Sequence, residues 1–447
     1  MTAKDDSLRD ARNWLWLGIV ALGIAGLWAL SLGLGRMPQL KDVEILTRLF
    51  RVALVVHVDL SVLMWFVSVA AMGWALLLPQ PRYSQWRRAG FFTIAAATAL
   101  MALSPLDTQH WQVYISNYIP VLHNLPFLFG LGLLAAGLMV MTLPVVFHYA
   151  TLRARAAVPH DLHGFLYAAF TTLLALVAFA LSAHLMPQLN NLQLSFETLF
   201  WAGGHILQAT YTLLMMSAWI ALVELLSGES LNKRAVQIAY GFTVLYAVAH
   251  LAGFALYPFD SPEFIGYHTK VMISLGGIGV GLLALLTIAR LWSARKLITR
   301  KHRAYAAALI ASLVVFIAGG LLGLLIKGQN VIIPAHYHGA IVGVTLALMG
   351  LAYAMLPRFG HASVAASRMA FWQPILSGVG QLLHIGGLAY SGGYGVLRKT
   401  PAGETPNLST DVYAALGFVG LGTLMSVIGG LLFVVVMIRA FRAGGGK

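Results

Sequence analysis

Residues 331–356 read VIIPAHYHGAIVGVTLALMGLAYAML. The run exceeds the ~20 apolar residues a helix needs to cross a bilayer core about 30 Å thick. Near its start it carries two ionisable rings, His336 and His338, in Ala335-His336-Tyr337-His338-Gly339. An imidazole is costly inside a membrane, so such a position is a functional suspect by default. On a helix, residues two apart differ by about 200° in direction at almost equal height. His336 and His338 therefore point to opposite flanks and cannot share one metal. Each can ligate a separate planar cofactor, and histidine is a common axial ligand of haem iron.

Eleven further apolar runs surround this one, at about 14–35, 51–79, 88–104, 118–146, 162–187, 197–226, 235–258, 266–292, 304–326, 369–391 and 411–440. The fold class is thus all-α, a polytopic membrane protein of twelve transmembrane helices. It reads as a single domain over residues 1–447, with a short N-terminal segment 1–13. Composition agrees. Of 447 residues, 59% are apolar and only 10% charged, against roughly 25% charged in soluble domains. A soluble enzyme, a disordered chain and a coiled coil are excluded. Cysteine is absent, which removes disulfides, thiolate zinc sites, iron–sulfur clusters and cysteine nucleophiles. Any metal must be held by histidine or carboxylate.

Twelve spans put both termini on one side. Of the 29 lysines and arginines, 21 fall on that side and 8 on the other. The positive-inside rule then puts both termini in the cytoplasm of a bacterial-type inner membrane. The +14 formal charge is an insertion signal, and it calls for no nucleic-acid partner. The first run follows Lys4, Arg9 and Arg12 but is too long for a signal peptide and lacks a small-residue cleavage site, so it reads as a span.

This topology sets depths. At about 1.5 Å per residue, His57 lies roughly 9 Å below the outer edge, His205 about 12 Å, His250 about 15 Å, and His336 and His338 about 9–12 Å. Five histidines from four spans share the outer third. A second ring from a neighbouring span, such as His57, would complete a six-coordinate iron suited to electron transfer. An iron held by one histidine keeps an open position for a small gas. His205 and His250 lie at the right depth to hold a second metal facing that position.

The constellation resembles subunit I of the haem–copper oxidase superfamily, which includes oxygen reductases and nitric oxide reductases. The resemblance covers all twelve spans. It implies two haems, low-spin on His57 and His338 and high-spin on His336. His205, in Trp201-Ala202-Gly203-Gly204-His205, matches the span-six ligand of the copper or non-haem iron site, and His250 a span-seven ligand. Arg398 and Lys399 match a basic pair that neutralises haem propionates, and His384 a histidine close to them.

Departures from the family pattern are informative. Its adjacent His-His in span seven is here His250-Leu251, so one metal ligand is missing. His123, His184 and His268 are candidates to fill the gap. The tyrosine or glutamate often found four residues after the span-six histidine is here Ala209. Tyr246, one turn before His250 on the same face, is a candidate redox tyrosine. Carboxylates for proton delivery are scarce: Asp59 follows His57 by two residues, and Glu224 sits at the inner end of span six. Lys270 lies near the outer edge. Tyr240, Thr243, Tyr246 and Ser274 are the members of a candidate polar thread.

No Cys-x-x-Cys-His motif is present, so electrons must come from a separate cytochrome c-type or copper-containing subunit, or from a quinol. The expectation is the core subunit of a respiratory terminal reductase that reduces oxygen to water. The alternatives are nitric oxide reduction, a two-haem member lacking the second metal that relays electrons or senses gas, a haem-handling protein, and a twelve-helix transporter. The last predicts repeats and a midplane site, and the sequence has no evident repeat. The purified protein should carry two haems per chain. His57→Ala should abolish the low-spin signal in the reduced spectrum and spare the carbon monoxide-binding one.

Overall fold

In hydrocarbon, no water satisfies a backbone N–H or C=O, so a spanning segment must close its own hydrogen bonds as a helix. The computed structural model describes residues 3–35, 44–150, 158–186, 191–328, 330–394 and 409–443, and these are almost entirely helical. Eleven helical segments among them are long and apolar enough to cross a membrane. The run expected at 369–391 is also a helix, Arg368–Gly393, but is not one of the eleven. It buries Gln373, Gln381 and His384, and a helix that meets protein on its flanks need not be uniformly apolar.

The helices are α1 (Ala3–Gly35), α2 (Glu44–Val58), α3 (Trp65–Leu77), α4 (Ser84–Leu103), α5 (Leu125–His148), α6 (His163–Leu185), α7 (Leu192–Ser227) and α8 (Lys233–Leu256). They continue as α9 (Pro262–Leu275), α10 (Ile278–Ala294), α11 (Arg303–Gly323), α12 (Ile332–Met355), α13 (Arg368–Gly393) and α14 (Thr410–Ala443). A π-helical turn, Asp59–Met64, joins α2 to α3 within one span. The Gly276-Gly277 pair interrupts another between α9 and α10.

One expected boundary is corrected. Residues 118–124 do not begin the fourth span. They belong to a short antiparallel hairpin, β1 (Val113–Tyr114) with β2 (Val121–Leu122), paired Val113 to Leu122 and Tyr114 to Val121. The helix starts only at Leu125, because the Asn124 side chain accepts from the Phe127 N–H and caps it. Pro120 adds a residue without an amide donor.

The chain forms two compact units. The first comprises Met1–Ala21, Val58–Glu224 and Gly228–Trp292. In it α1 is tied to α4 by Arg87, only 1% exposed. Arg87 Nε donates to Asp10 Oδ2 at 2.7 Å, and its Nη1 donates to the Leu78 carbonyl at 2.6 Å. Trp74 Nε1 donates to the Phe165 carbonyl at 2.9 Å.

The second unit comprises Leu22–His57, Leu225–Ser227 and Ser293–Lys447. There α11 packs on α12, and α13 on α14. Glycine sets the first approach: a Cβ on Gly319 would meet the Gly339 and Ala340 backbone at 2.6–2.7 Å. Ser312 Oγ donates to the Gly343 carbonyl at 2.7 Å across the same interface. With lipid as apolar as leucine, small residues and interhelical hydrogen bonds hold such pairs together. Asp10→Ala should lower stability by about 1.5–3 kcal/mol, the range for a hydrogen bond to a charged group, read as an earlier unfolding midpoint in detergent.

Candidate functional site

The candidate residues fall into two groups, one in each unit. In the second unit, His57 ends α2 and His336 and His338 open α12. His57 Nδ1 lies 2.9 Å from the Ala25 carbonyl, and His336 Nδ1 lies 2.8 Å from the Gly319 carbonyl. A carbonyl only accepts, so each Nδ1 carries the proton and each Nε2 keeps its lone pair. Ligating histidines are fixed in this way, with the second ring N–H given to a backbone or carboxylate oxygen.

His338 turns to a different neighbour: its ring meets that of His384 on α13, centroids 4.9 Å apart at 71°. His336 faces α11, where a Cβ on Gly323 would touch its ring at 2.7 Å. The opposite flanks expected from the two-residue spacing are therefore present. His384 Nδ1 is 2.9 Å from Thr423 Oγ1 on α14. Half-buried rings with Nδ1 pinned to a backbone carbonyl fit axial ligation of haem through Nε2. Arg398 and Lys399 lie outside the described residues.

In the first unit three histidines meet. His205 comes from α7, His250 from α8 and His268 from α9. Ring centroids are 4.9 Å apart for His205 and His250, 5.0 Å for His250 and His268, and 5.6 Å for His205 and His268. All three are buried, His250 and His268 completely. The Nδ1 atoms of His250 and His268 face each other at 2.7 Å, and both Nε2 atoms are buried without a hydrogen-bond partner. Each orphaned polar group costs about 1–3 kcal/mol.

As the rings stand, no set of three histidine or carboxylate donors among the described residues converges on one ion position. Three buried imidazoles are donors of a kind that suits copper or iron, but the facing Nδ1 atoms of His250 and His268, at 2.7 Å, stand at hydrogen-bond distance rather than at the ~3.3 Å of two nitrogens on one tetrahedral ion.

His268 is the candidate that fills the gap left by Leu251. Of its rivals, His184 is exposed, and His123 sits on the hairpin against Tyr114 and Phe196. Tyr246 lies where helical spacing puts it, edge-on to His250 at 4.7 Å, with its hydroxyl donating to Gln208 Oε1 at 3.0 Å.

Sequence reasoning missed Tyr118, which it had assigned to a helix. Its hydroxyl lies 2.8 Å from His205 Nε2. His205 Nδ1 donates to the Trp201 carbonyl at 2.7 Å, so Nε2 accepts from the phenol. Burial, with smaller contributions from Tyr246 and Glu197, pushes the Tyr118 hydroxyl well above the usual phenol range and keeps its proton on. The signals for this hairpin were Pro120 and the Asn124 cap.

The proton-carrying candidates are dispersed. Asp59 is buried in the π-turn, with Oδ2 unpartnered. Glu224 holds the loop between α7 and α8, with Oε1 3.1 Å from His160 Nδ1 and 2.8 Å from the Leu231 N–H. The expected thread is not continuous. Tyr240 pairs with Ser217 at 3.2 Å, Thr243 donates back to the Ala239 carbonyl, and Ser274 and Lys270 are exposed.

The family model for cytochrome C and quinol oxidase polypeptide I matches residues 10–440. This chain belongs to that family. Members of the oxidase family are oxidoreductases that generally bind haems and normally work with other membrane subunits. With its apolar helices, the chain is a multi-pass membrane protein of this kind.

Among curated relatives it is similar to an uncharacterized protein of Rickettsia prowazekii, 29% identical over 97% of this chain and 96% of that one. An uncharacterized protein of Aquifex aeolicus is 25% identical over 78% of this chain and 85% of its own length.

Gly204 makes room for Tyr118, since a Cβ there would collide with the phenol ring. Gly204→Ala should therefore cost about 1–3 kcal/mol, typical of overpacking. It should also render the 113–122 hairpin sensitive to protease, measured by limited proteolysis of the detergent-solubilised protein.

Proposed function

We propose that this chain is the haem-bearing catalytic core of a bacterial respiratory complex that reduces oxygen to water. The observation that supports the reading is the meeting of three buried histidines from three helices, His205, His250 and His268, with ring centroids 4.9–5.6 Å apart.

His57 and His338 would hold the low-spin haem and His336 the high-spin one. The trio would hold copper or non-haem iron. Such metals carry electrons, bind a small gas and polarise it as Lewis acids. The chain's own residues orient the donors. Ala25 and Gly319 hold two rings by their Nδ1 protons, and Trp201 holds a third. The aromatic side chains of Trp201, Phe254 and Phe264 pack against the trio and keep it from bulk water. Tyr246 and Tyr118 bring hydroxyl protons to its edge.

Ala209 is neither the tyrosine nor the glutamate of the family pattern and favours neither substrate; Tyr246, beside His250, is the feature that supports oxygen. Electrons would come from a separate cytochrome c-type or copper-containing subunit or from a quinol, at the outer side of the inner membrane, with both termini in the cytoplasm.

The test is gas consumption by the purified complex with a reductant, alongside haem and metal quantification. Oxygen uptake with two haems and one further metal per chain is expected. Nitric oxide uptake alone would reassign the substrate, and haem near zero would end the reading. His268→Ala should lower the second-metal content at least tenfold and leave both haem spectra in place. Unchanged metal content would remove His268 from the site.

A further inference from the structure

Where α1 and α4 begin, the first unit holds a half-open cavity of about 330 Å³. That is the small end of the roughly 300–1,000 Å³ that ligand sites occupy. Arg9 and Asp10 line it from α1, and Arg87, Arg88, Phe91 and Phe92 from α4. None of the histidines described above takes part. We propose that this cavity binds the phosphate headgroup of an anionic membrane phospholipid, with an acyl chain laid along the exposed face of α4.

The first argument is charge. Three guanidinium groups and one carboxylate line the cavity. The carboxylate is already answered, since Arg87 Nε donates to Asp10 Oδ2 at 2.7 Å. Arg9 is paired with Asp6 at 3.0 Å. Arg88 is exposed and has no ion pair or hydrogen bond among the described residues. One positive charge is therefore left over. A phospholipid with a single net negative charge balances it, whereas a zwitterionic one brings its own cation.

Donors are also to spare. Arg87 is 1% exposed, and its Nη1 is spent on the Leu78 and Gln80 carbonyls. Its Nη2 makes no hydrogen bond among the described residues. The Asn13 amide lines the same cavity. Planar guanidinium groups match the oxygens of a phosphate two at a time.

The second argument is depth and shape. On α1 the cations Arg9 and Arg12 give way to an apolar run, and on α4 the residues from Ala89 to Leu103 carry no charge. Such a boundary falls at the headgroup level of a bilayer, where exposed tryptophans gather, and Trp16 and Trp86 lie within a few residues of it. From Arg88, one face of α4 continues exposed and apolar through Phe92, Ala96, Ala99 and Leu103. Steps of three and four residues keep these on one side of a helix. A headgroup held at Arg88 thus lays its acyl chain against that stripe. Free phosphate would meet the charge and leave Phe91, Phe92 and the stripe unused.

The experiment uses the purified full-length protein in detergent, freed of bound lipid, and phosphatidylglycerol with a photoactivatable diazirine on its acyl chain. Labelled peptides are identified by mass spectrometry after illumination. Label is expected on the peptide that carries Phe92 to Leu103. Unlabelled phosphatidylglycerol should displace it at about one-fifth the concentration of phosphatidylcholine, and inorganic phosphate should not displace it. Arg88→Gln should weaken labelling about fivefold, the effect of one cation at a membrane surface. Arg300→Gln, which removes an exposed cation of the second unit, should leave labelling unchanged.

Label spread evenly over other helices, equal displacement by the two lipids, or labelling indifferent to Arg88→Gln overturns the proposal. Displacement by inorganic phosphate makes this a site for a free anion and overturns the lipid assignment. Should Arg88→Gln fail to fold, competition on native protein decides: a preference for phosphatidylglycerol upholds the proposal, and none overturns it.

Discussion

An imidazole buried in a membrane protein must give its N–H to an acceptor, and in helices the acceptors at hand are backbone carbonyls. His57, His336 and His205 obey this constraint in the same way: each has Nδ1 on a carbonyl, of Ala25, Gly319 and Trp201 respectively. The consequence is chemical as well as structural. Fixing the proton on one nitrogen fixes the lone pair on the other, so a packing requirement selects the tautomer a metal needs. His250 and His268 depart from the pattern by sharing a proton between their Nδ1 atoms.

That arrangement depends on how closely helices come together. Gly319 supplies the carbonyl for His336 and also admits Gly339 of α12. One residue thus sets both the helix spacing and the ring orientation. Gly204 plays a comparable part in the first unit, beside His205, where it leaves room for a phenol instead of a helix backbone. Glycine's usual cost within a helix is small beside the close contact it permits.

Much of this could be read from the sequence. Hydropathy located the spans, because a bilayer enforces length and composition, but not their ends: the fourth begins at Leu125 rather than 118. The two-residue spacing of His336 and His338 gave their divergence, since helical geometry alone decides it. The missing ligand at Leu251 was visible too, but its replacement was not. His268 lies 18 positions beyond His250 in another helix, and only the packing of α8 on α9 brings the rings together. Tyr118 was hidden for a different reason. The stretch Tyr118-Ile119-Pro120-Val121-Leu122 is apolar enough to pass for the start of a span. It is a hairpin because side chains some 80 positions later satisfy its backbone. Periodicity cannot report a partner that distant.

The clasp between Arg87 and Asp10 has a mechanical side. The guanidinium is enclosed and gripped by two backbone carbonyls as well as the carboxylate. The first helix therefore cannot slide along its axis without leaving the enclosed guanidinium unneutralised. A thicker or thinner bilayer must then be met by tilting and by adjustment at the far end of that helix, with its N-terminal end serving as the fixed reference of height.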